Sequence, residues 1–267
     1  MEVREKTAVV TGAASGIGRA VATALAARGA RVMVADISSG VHDAGAEIGA
    51  AAWQGDVSAP DGIRDLLAAA EAQLGPVDLY FANAGIIGPP GLSGDEAEWD
   101  RAFDVNVRAH IRAAQQLIPG WQQRGEGYFV STASAAGLLT QIGQAAYSVT
   151  KHAAIGFAEW LSVTYGDDGI RVSCLAPMGV NTPLLRGGET ADSDADRTAN
   201  RAVTSAGKVL EPADVADVVM AAVESETFLI LPHPEVLEMY RMKGSDYDRW
   251  LRGMRRYQRT LAESAAH

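Results

Sequence analysis

The chain has 267 residues, 48% of them apolar and 21% charged, with a formal net charge of −10. That length accommodates one large α/β domain with a substantial core. The acidic balance argues against general nucleic-acid binding, and no apolar run approaches the ~20 residues that span a bilayer.

The first strand, read at 6–11, starts almost at once and leaves no room for a signal peptide, so a cytoplasmic location is expected. Further short β-rich runs follow at 31–35, 51–55, 77–82, 126–132, 170–175 and 227–231. Helical periodicity fills the intervals at 17–28, 40–49, 60–73, 96–122, 145–166 and 211–223. Glycine marks the joins: Gly29 closes the first helix, Gly75 with Pro76 the third, and Gly166 to Gly169 bracket a later turn. This alternation predicts one doubly wound α/β domain over 1–267, its seven-stranded parallel sheet covered by helices on both faces. Two segments break the rhythm. Residues 184–208 are polar and read as a mobile surface lid, and 235–263 read as a helical tail with excess arginine. The tail's Tyr240, Tyr247, Trp250 and Leu251 favour packing on the body or on a partner over a nucleic-acid arm.

Chemistry concentrates at two places. Thr11-Gly12-Ala13-Ala14-Ser15-Gly16-Ile17-Gly18 is a glycine-rich turn between the first strand and the first helix. Such a turn lets backbone approach a pyrophosphate, and the helix N-terminus offers free N–H groups and a favourable dipole. Downstream, Tyr147-Ser148-Val149-Thr150-Lys151 sets a tyrosine and a lysine one helical turn apart on one face. A phenol with an ordinary pKa near 10 needs roughly 4 kcal/mol of phenolate stabilisation to work near pH 7. An ammonium about 5 Å away contributes on the order of 3 kcal/mol at an effective dielectric near 20, and a second positive charge closes the gap.

The two motifs, in this order and separation, resemble the short-chain dehydrogenase/reductase family in its compact single-domain, Rossmann-type form. The likeness spans roughly 6–231. The turn follows the family's T-G-x-x-x-G-x-G spacing rather than the general G-x-G-x-x-G. It implies that Gly12, Ser15, Gly16, Ile17 and Gly18 hold a dinucleotide. Asp36, ending the second strand, can accept hydrogen bonds from both adenosine ribose hydroxyls and would repel a 2′-phosphate. Neither Ser15 nor Ile37 is basic, which with Asp36 points to NAD over NADP. The resemblance further places Asp56 and Val57 beside adenine, Asn83, Ala84 and Gly85 along the cofactor, and Pro177, Val180 and Thr182 at the nicotinamide. Ala176 and Met178 depart from the family's usual Asn-Pro-Gly, which leaves the backbone path there, and Met178's place in core or pocket, open.

For catalysis the likeness implies a tetrad. Tyr147 is the acid or base, Lys151 lowers its pKa and grips the nicotinamide ribose, Ser134 orients the substrate oxygen, and Asn106 holds a water in a proton relay. Ser131 competes with Ser134 but lies too far upstream by family spacing. The reading is an NAD(H)-dependent oxidoreductase that interconverts a secondary alcohol and a ketone. Leu138, Leu139, Ile142, Leu184, Leu185, Ile86 and Ile87 favour hydrophobic or cyclic substrates. Its small-molecule partner is joined by a second copy of the chain, since family members assemble as dimers or tetramers. A non-catalytic NAD-binding sensor or scaffold is the alternative, although binding alone would not require Tyr147 and Lys151.

No metal site is expected. Cys174 is the single cysteine and sits in an apolar strand, where it reads as a small buried hydrophobe. The five histidines show no ligand spacing, and His233 between two prolines reads as part of a turn. Asp192, Asp194 and Asp196 alternate like a calcium loop, but Arg197 and Val203 occupy its glycine and acidic positions.

Overall fold

The computed structural model describes residues 1–189 and 194–263, with the side chains of 188, 189 and 194–196 outside that description. Asp192 and the side chains of Asp194 and Asp196 therefore lie outside the described residues. Seven parallel strands, β1 (Thr7–Thr11), β2 (Arg31–Asp36), β3 (Ala51–Gln54), β4 (Leu79–Ala82), β5 (Gly127–Thr132), β6 (Ile170–Leu175) and β7 (Leu229–Ile230), form one sheet in the order β3-β2-β1-β4-β5-β6-β7. β1 is buried along its whole length. Val9 packs into the core on one face while Ala8 and Val10 pack into the core on the other, which is why this strand is continuously apolar.

One face carries α3 (Gly62–Leu74), α5 (Ala109–Arg124) and α7 (Ala145–Tyr165), contributing Leu66, Leu117, Trp121 and Leu161 to the core. The opposite face carries α1 (Gly16–Ala27), α2 (Val41–Ile48) and α10 (Pro212–Ser225), with Leu25, Val41 and Val219. The strand order reverses between β1 and β4, so the connections leave in opposite directions and open a crevice at their C-terminal ends.

Three departures from the sequence pattern matter. The helix expected over 96–122 is divided: α4 (Glu96–Phe103) runs through a π-helical turn (Asp104–Arg108) into α5. Asn106 is fully buried in that wide turn. The expected mobile lid contains α8 (Pro183–Glu189) and α9 (Asp194–Ala206) among the described residues. Ala199 and Ala202, three apart and both buried, are a small apolar stripe that the polar composition hid. The third departure is a short α6 (Ala136–Leu139) after β5, whereas the tail is helical as read, in α11 (Glu235–Ser245) and α12 (Tyr247–Glu263). No helix among the described residues is long and apolar enough to cross a membrane.

Candidate active site

A cleft of about 770 Å³ lies over the C-terminal ends of the strands. Its floor begins where β1 and β4 are stitched together. The Thr11 hydroxyl donates to Phe81 O (3.1 Å) and accepts from the Asn83 and Ala84 amides (2.9 and 3.0 Å). Asn83 Nδ2 donates back to Thr11 O at 2.9 Å. The chain then turns through Gly12 at φ +65°, where a Cβ would stand 2.9 Å from Ala84 Cα. At Gly18 a Cβ would meet Gly12 O at 2.3 Å, so only glycine lets α1 sit this close to the turn. Ser15, Gly16 and Ile17 open α1 and line the cleft, whereas Gly18 packs behind it.

At the end of β2, Asp36 accepts from the Ala14 amide (3.0 Å) on one oxygen and from the Ser38 amide (2.9 Å) on the other. Each oxygen keeps a lone pair for a further donor, and the carboxylate lines the cleft. Arg19 is engaged with Glu47 on the surface. Beyond β3, Asp56 accepts from the Ser58 amide (2.8 Å) and hydroxyl (2.6 Å) and has Arg101 at 3.9 Å. Burial alone would raise its pKa, but the Ser58 bonds and Arg101 hold the carboxyl below its ordinary value. Val57, Ala84, Gly85, Pro177, Val180 and Thr182 complete the walls of this half. Glycine-lined backbone, an open helix N-terminus and a terminal aspartate together fit a dinucleotide.

The other half is built by α7. Tyr147 and Lys151 both line the cleft, and the Lys151 ammonium lies 5.6 Å from the tyrosine ring centre. Nζ donates to Thr132 O at 2.9 Å, at the end of β5. Burial brings Lys151 down to about 8. Burial also pushes the Tyr147 phenol above its ordinary value, partly offset by a hydrogen bond with Ser134. The polypeptide alone thus leaves the phenol protonated, because burial disfavours the phenolate by more than the Ser134 bond restores.

Ser134 sits in the loop after β5, its hydroxyl accepting from the Ala136 amide (3.1 Å) and donating to Pro177 O (3.4 Å). Ser131, its rival on sequence, is fully buried in β5 and pairs with His110 Nδ1 at 3.1 Å. Asn106 does not line the cleft. Its Oδ1 accepts from the Ile86 amide, and its Nδ2 donates to Ile86 O and to Thr150 Oγ1, at 2.9, 2.9 and 3.0 Å. It therefore joins the loop after β4 to the tyrosine-bearing helix.

Further residues surround the site, and of these His110 gave no sequence signal. His110 is buried with Nε2 unpartnered, and burial together with the nearby Lys151 charge holds it down at about 3. His233 accepts from the Met178 amide (3.1 Å) and binds Lys208 O through Nε2 (3.0 Å), which fixes the cleft wall from behind. Met178 both lines the cleft and packs on the core. Met239, Met242, Trp250, Met254 and Tyr257 of the tail also line the cleft, while Tyr240, Tyr247 and Leu251 are exposed. The i, i+4, i+7 spacing of Trp250, Met254 and Tyr257 is the pattern that marks this inward stripe.

Known proteins agree with this architecture. 1-Deoxy-11-beta-hydroxypentalenate dehydrogenase of Streptomyces avermitilis is 38% identical over 198 residues, covering 70% of this chain and 73% of that protein. Cis-4-hydroxycyclohexanecarboxylate dehydrogenase of Sinomonas cyclohexanicum is 32% identical over 234 residues, covering 85% and 92%. The crystal structure of a short chain dehydrogenase/reductase from Burkholderia phymatum in complex with NAD superposes with a TM-score of 0.84 at 28% identity, covering 93% of this chain and 96% of that one. The family model for short chain dehydrogenase matches residues 6–192, and the chain belongs to that family of oxidoreductases.

Proposed function

We propose that this protein is an NAD(H)-dependent oxidoreductase that interconverts a secondary alcohol and a ketone on a hydrophobic or cyclic substrate. The observation that carries the reading is the placement of Tyr147, Ser134 and Lys151 at one end of a cleft whose other end holds Asp36. Gly12, Ser15, Gly16 and Ile17 cradle the pyrophosphate, and Asp36 accepts the adenosine ribose hydroxyls. Asp56 and Val57 flank adenine, Asn83 to Gly85 run along the nucleotide, and Pro177, Val180 and Thr182 hold the carboxamide end. When bound, NAD would supply the hydride acceptor and a positively charged nicotinamide ring. Ser134 positions the alcohol oxygen, Tyr147 takes its proton as the carbinol C–H is given up, and Lys151 stabilises the resulting phenolate. Asn106 holds the π-helical turn against α7 and so keeps Lys151 placed, with the relay to solvent through that turn.

NAD is favoured over NADP because Asp36 repels a 2′-phosphate. Among the described residues, the cations lining the cleft are Arg101, beside Asp56, and Lys151. Ring alcohols are favoured by the apolar walls and by relatives named for a hydroxypentalenate and a hydroxycyclohexanecarboxylate. Assembly into a homo-oligomer, a dimer or tetramer, is supported by α7, whose Val149, Trp160 and Val163 are exposed, with Trp160 stacked on Phe157. The test is spectrophotometric: NAD or NADP with a panel of cyclic secondary alcohols, reading reduced nicotinamide. Turnover with NAD and little with NADP supports the assignment. A folded sample that binds neither nucleotide refutes it.

A further inference from the structure

We propose that the two C-terminal helices build an apolar subsite, with no lining cation of its own among the described residues, for the end of the substrate remote from its hydroxyl. The protein then takes neutral ring alcohols in preference to ring alcohols bearing a carboxylate. The inference rests on the dehydrogenase reading above and adds to it the substrate's distal chemistry.

Four of the chain's seven methionines, Met178, Met239, Met242 and Met254, line the cleft together with Trp250 and Tyr257. Thioethers and an indole form a wall that adapts to an irregular ring system. This wall is held as part of the body. Lys243 of α11 is 7% exposed, and its Nζ donates to Leu138 O at 2.6 Å, with His152 Nε2 at 3.5 Å. His152 Nδ1 meets Ser148 O at 2.8 Å, which leaves Nε2 free to accept from the lysine. α11 is thereby fastened to α6, a few residues beyond Ser134. The Tyr257 hydroxyl donates to Ala202 O (3.1 Å) and pairs with Ser205 Oγ (2.7 Å), which fastens α12 to α9. Leu261 continues the inward stripe and is buried, while Arg249, Arg252, Arg255, Arg256 and Arg259 are exposed.

The charges decide the class of ligand. Lys243 points to Leu138, and the tail arginines face solvent. The lining cations among the described residues are Arg101, at the Asp56 end, and Lys151. A carboxylate seated against the methionines would lose its water and meet no cation, whereas an alkyl or alicyclic end loses nothing.

The test measures calorimetric binding of 4-methylcyclohexanone and 4-oxocyclohexanecarboxylate to the NAD-loaded protein, where the ketone cannot be reduced, alongside kcat/KM for the two corresponding alcohols. The neutral ketone is expected to bind at least about tenfold tighter. Met242 is 56% exposed, so Met242→Lys places a cation at the rim without burying it. That variant should shift the ratio at least about tenfold toward the carboxylate. Trp250→Ala should weaken the neutral ketone by about the same factor and leave NADH affinity in place. A carboxylate bound as well as the neutral ketone by the unaltered protein overturns the subsite, as does a ratio that neither variant moves. NADH that fails to bind a folded sample overturns the dehydrogenase reading itself, and the subsite with it.

Discussion

Replacing Lys151 with Met keeps the length of the side chain and removes its charge. At the 5.6 Å separating the ammonium from the Tyr147 ring, a unit charge is worth ~3 kcal/mol at an effective dielectric near 20. The phenol should then titrate about two pH units higher in the working complex, and kcat/KM at neutral pH should fall about 100-fold. Stability should carry its own pH dependence. The ammonium's folded value, about 8, lies below its ordinary 10.5, so between those values the unfolded chain binds more protons than the native one. The unaltered protein therefore gains stability as pH rises from 8 toward 10.5, up to about 1.4 kcal/mol per pH unit. The Met variant loses that gain, while the orphaned Thr132 carbonyl costs it about 1 kcal/mol. Urea unfolding at pH 7.5 and 9.5, with pH–rate profiles for both proteins, reads all three effects. An unchanged alkaline limb in the rate profile would refute the electrostatic role. Equal stability gains in the two proteins would refute the desolvation argument.

Tyr147→Phe should lower kcat/KM by at least about a thousandfold while NADH affinity, followed by fluorescence, stays within about threefold. Asp36→Ser combined with Ile37→Arg should raise the NADP-to-NAD ratio of kcat/KM about a hundredfold, and an unmoved ratio would show that Asp36 does not read the ribose. Gly18→Ala forces a methyl to within 2.3 Å of Gly12 O and should cost about 2–4 kcal/mol by denaturant unfolding, with loss of nucleotide binding. A Gly18→Ala protein as stable as the parent would mean that the turn relaxes more easily than its packing implies.

The sheet was legible because parallel strands buried on both faces, such as Val9 and Val10 in β1, carry continuous apolar runs between glycine-marked joins. The proposed nucleotide half was readable for a similar reason. Gly12, Asp36 and Asn83 stand at strand ends, where local backbone geometry restricts the residue type. The division of α4 from α5 left no trace, because Asp104 to Arg108 continue a helical pattern and only the wide turn around Asn106 differs. α9 was obscured by its polar composition, with the apolar stripe confined to small side chains such as Ala199 and Ala202. The tail's part in the cleft depends on contacts more than a hundred residues apart, such as Lys243 with Leu138, which periodicity cannot report. The same limit applies to electrostatics. Spacing placed a lysine beside a tyrosine, but only the surroundings reveal that the ammonium is committed to Thr132 O.

That commitment has a measurable consequence for when the phenol becomes acidic. In the protein alone, burial pushes Tyr147 up and brings Lys151 down to about 8, so both groups favour their neutral forms. The positive ring of oxidised nicotinamide, bound at this end of the cleft, would lower the phenol's pKa, and the phenolate formed would hold the proton on Lys151. The consequence is proton release from Tyr147 on binding oxidised nucleotide, larger as pH rises. NADH, with an uncharged nicotinamide ring, should release fewer. Calorimetric titrations at pH 8.5 in two buffers of different ionisation enthalpy count these protons directly. Tyr147→Phe should remove this release, and Lys151→Met should shift it to higher pH. Equal counts for NAD and NADH would show that neither group senses the ring charge, and the acidity of the phenol would then have to arise from the substrate side, at Ser134.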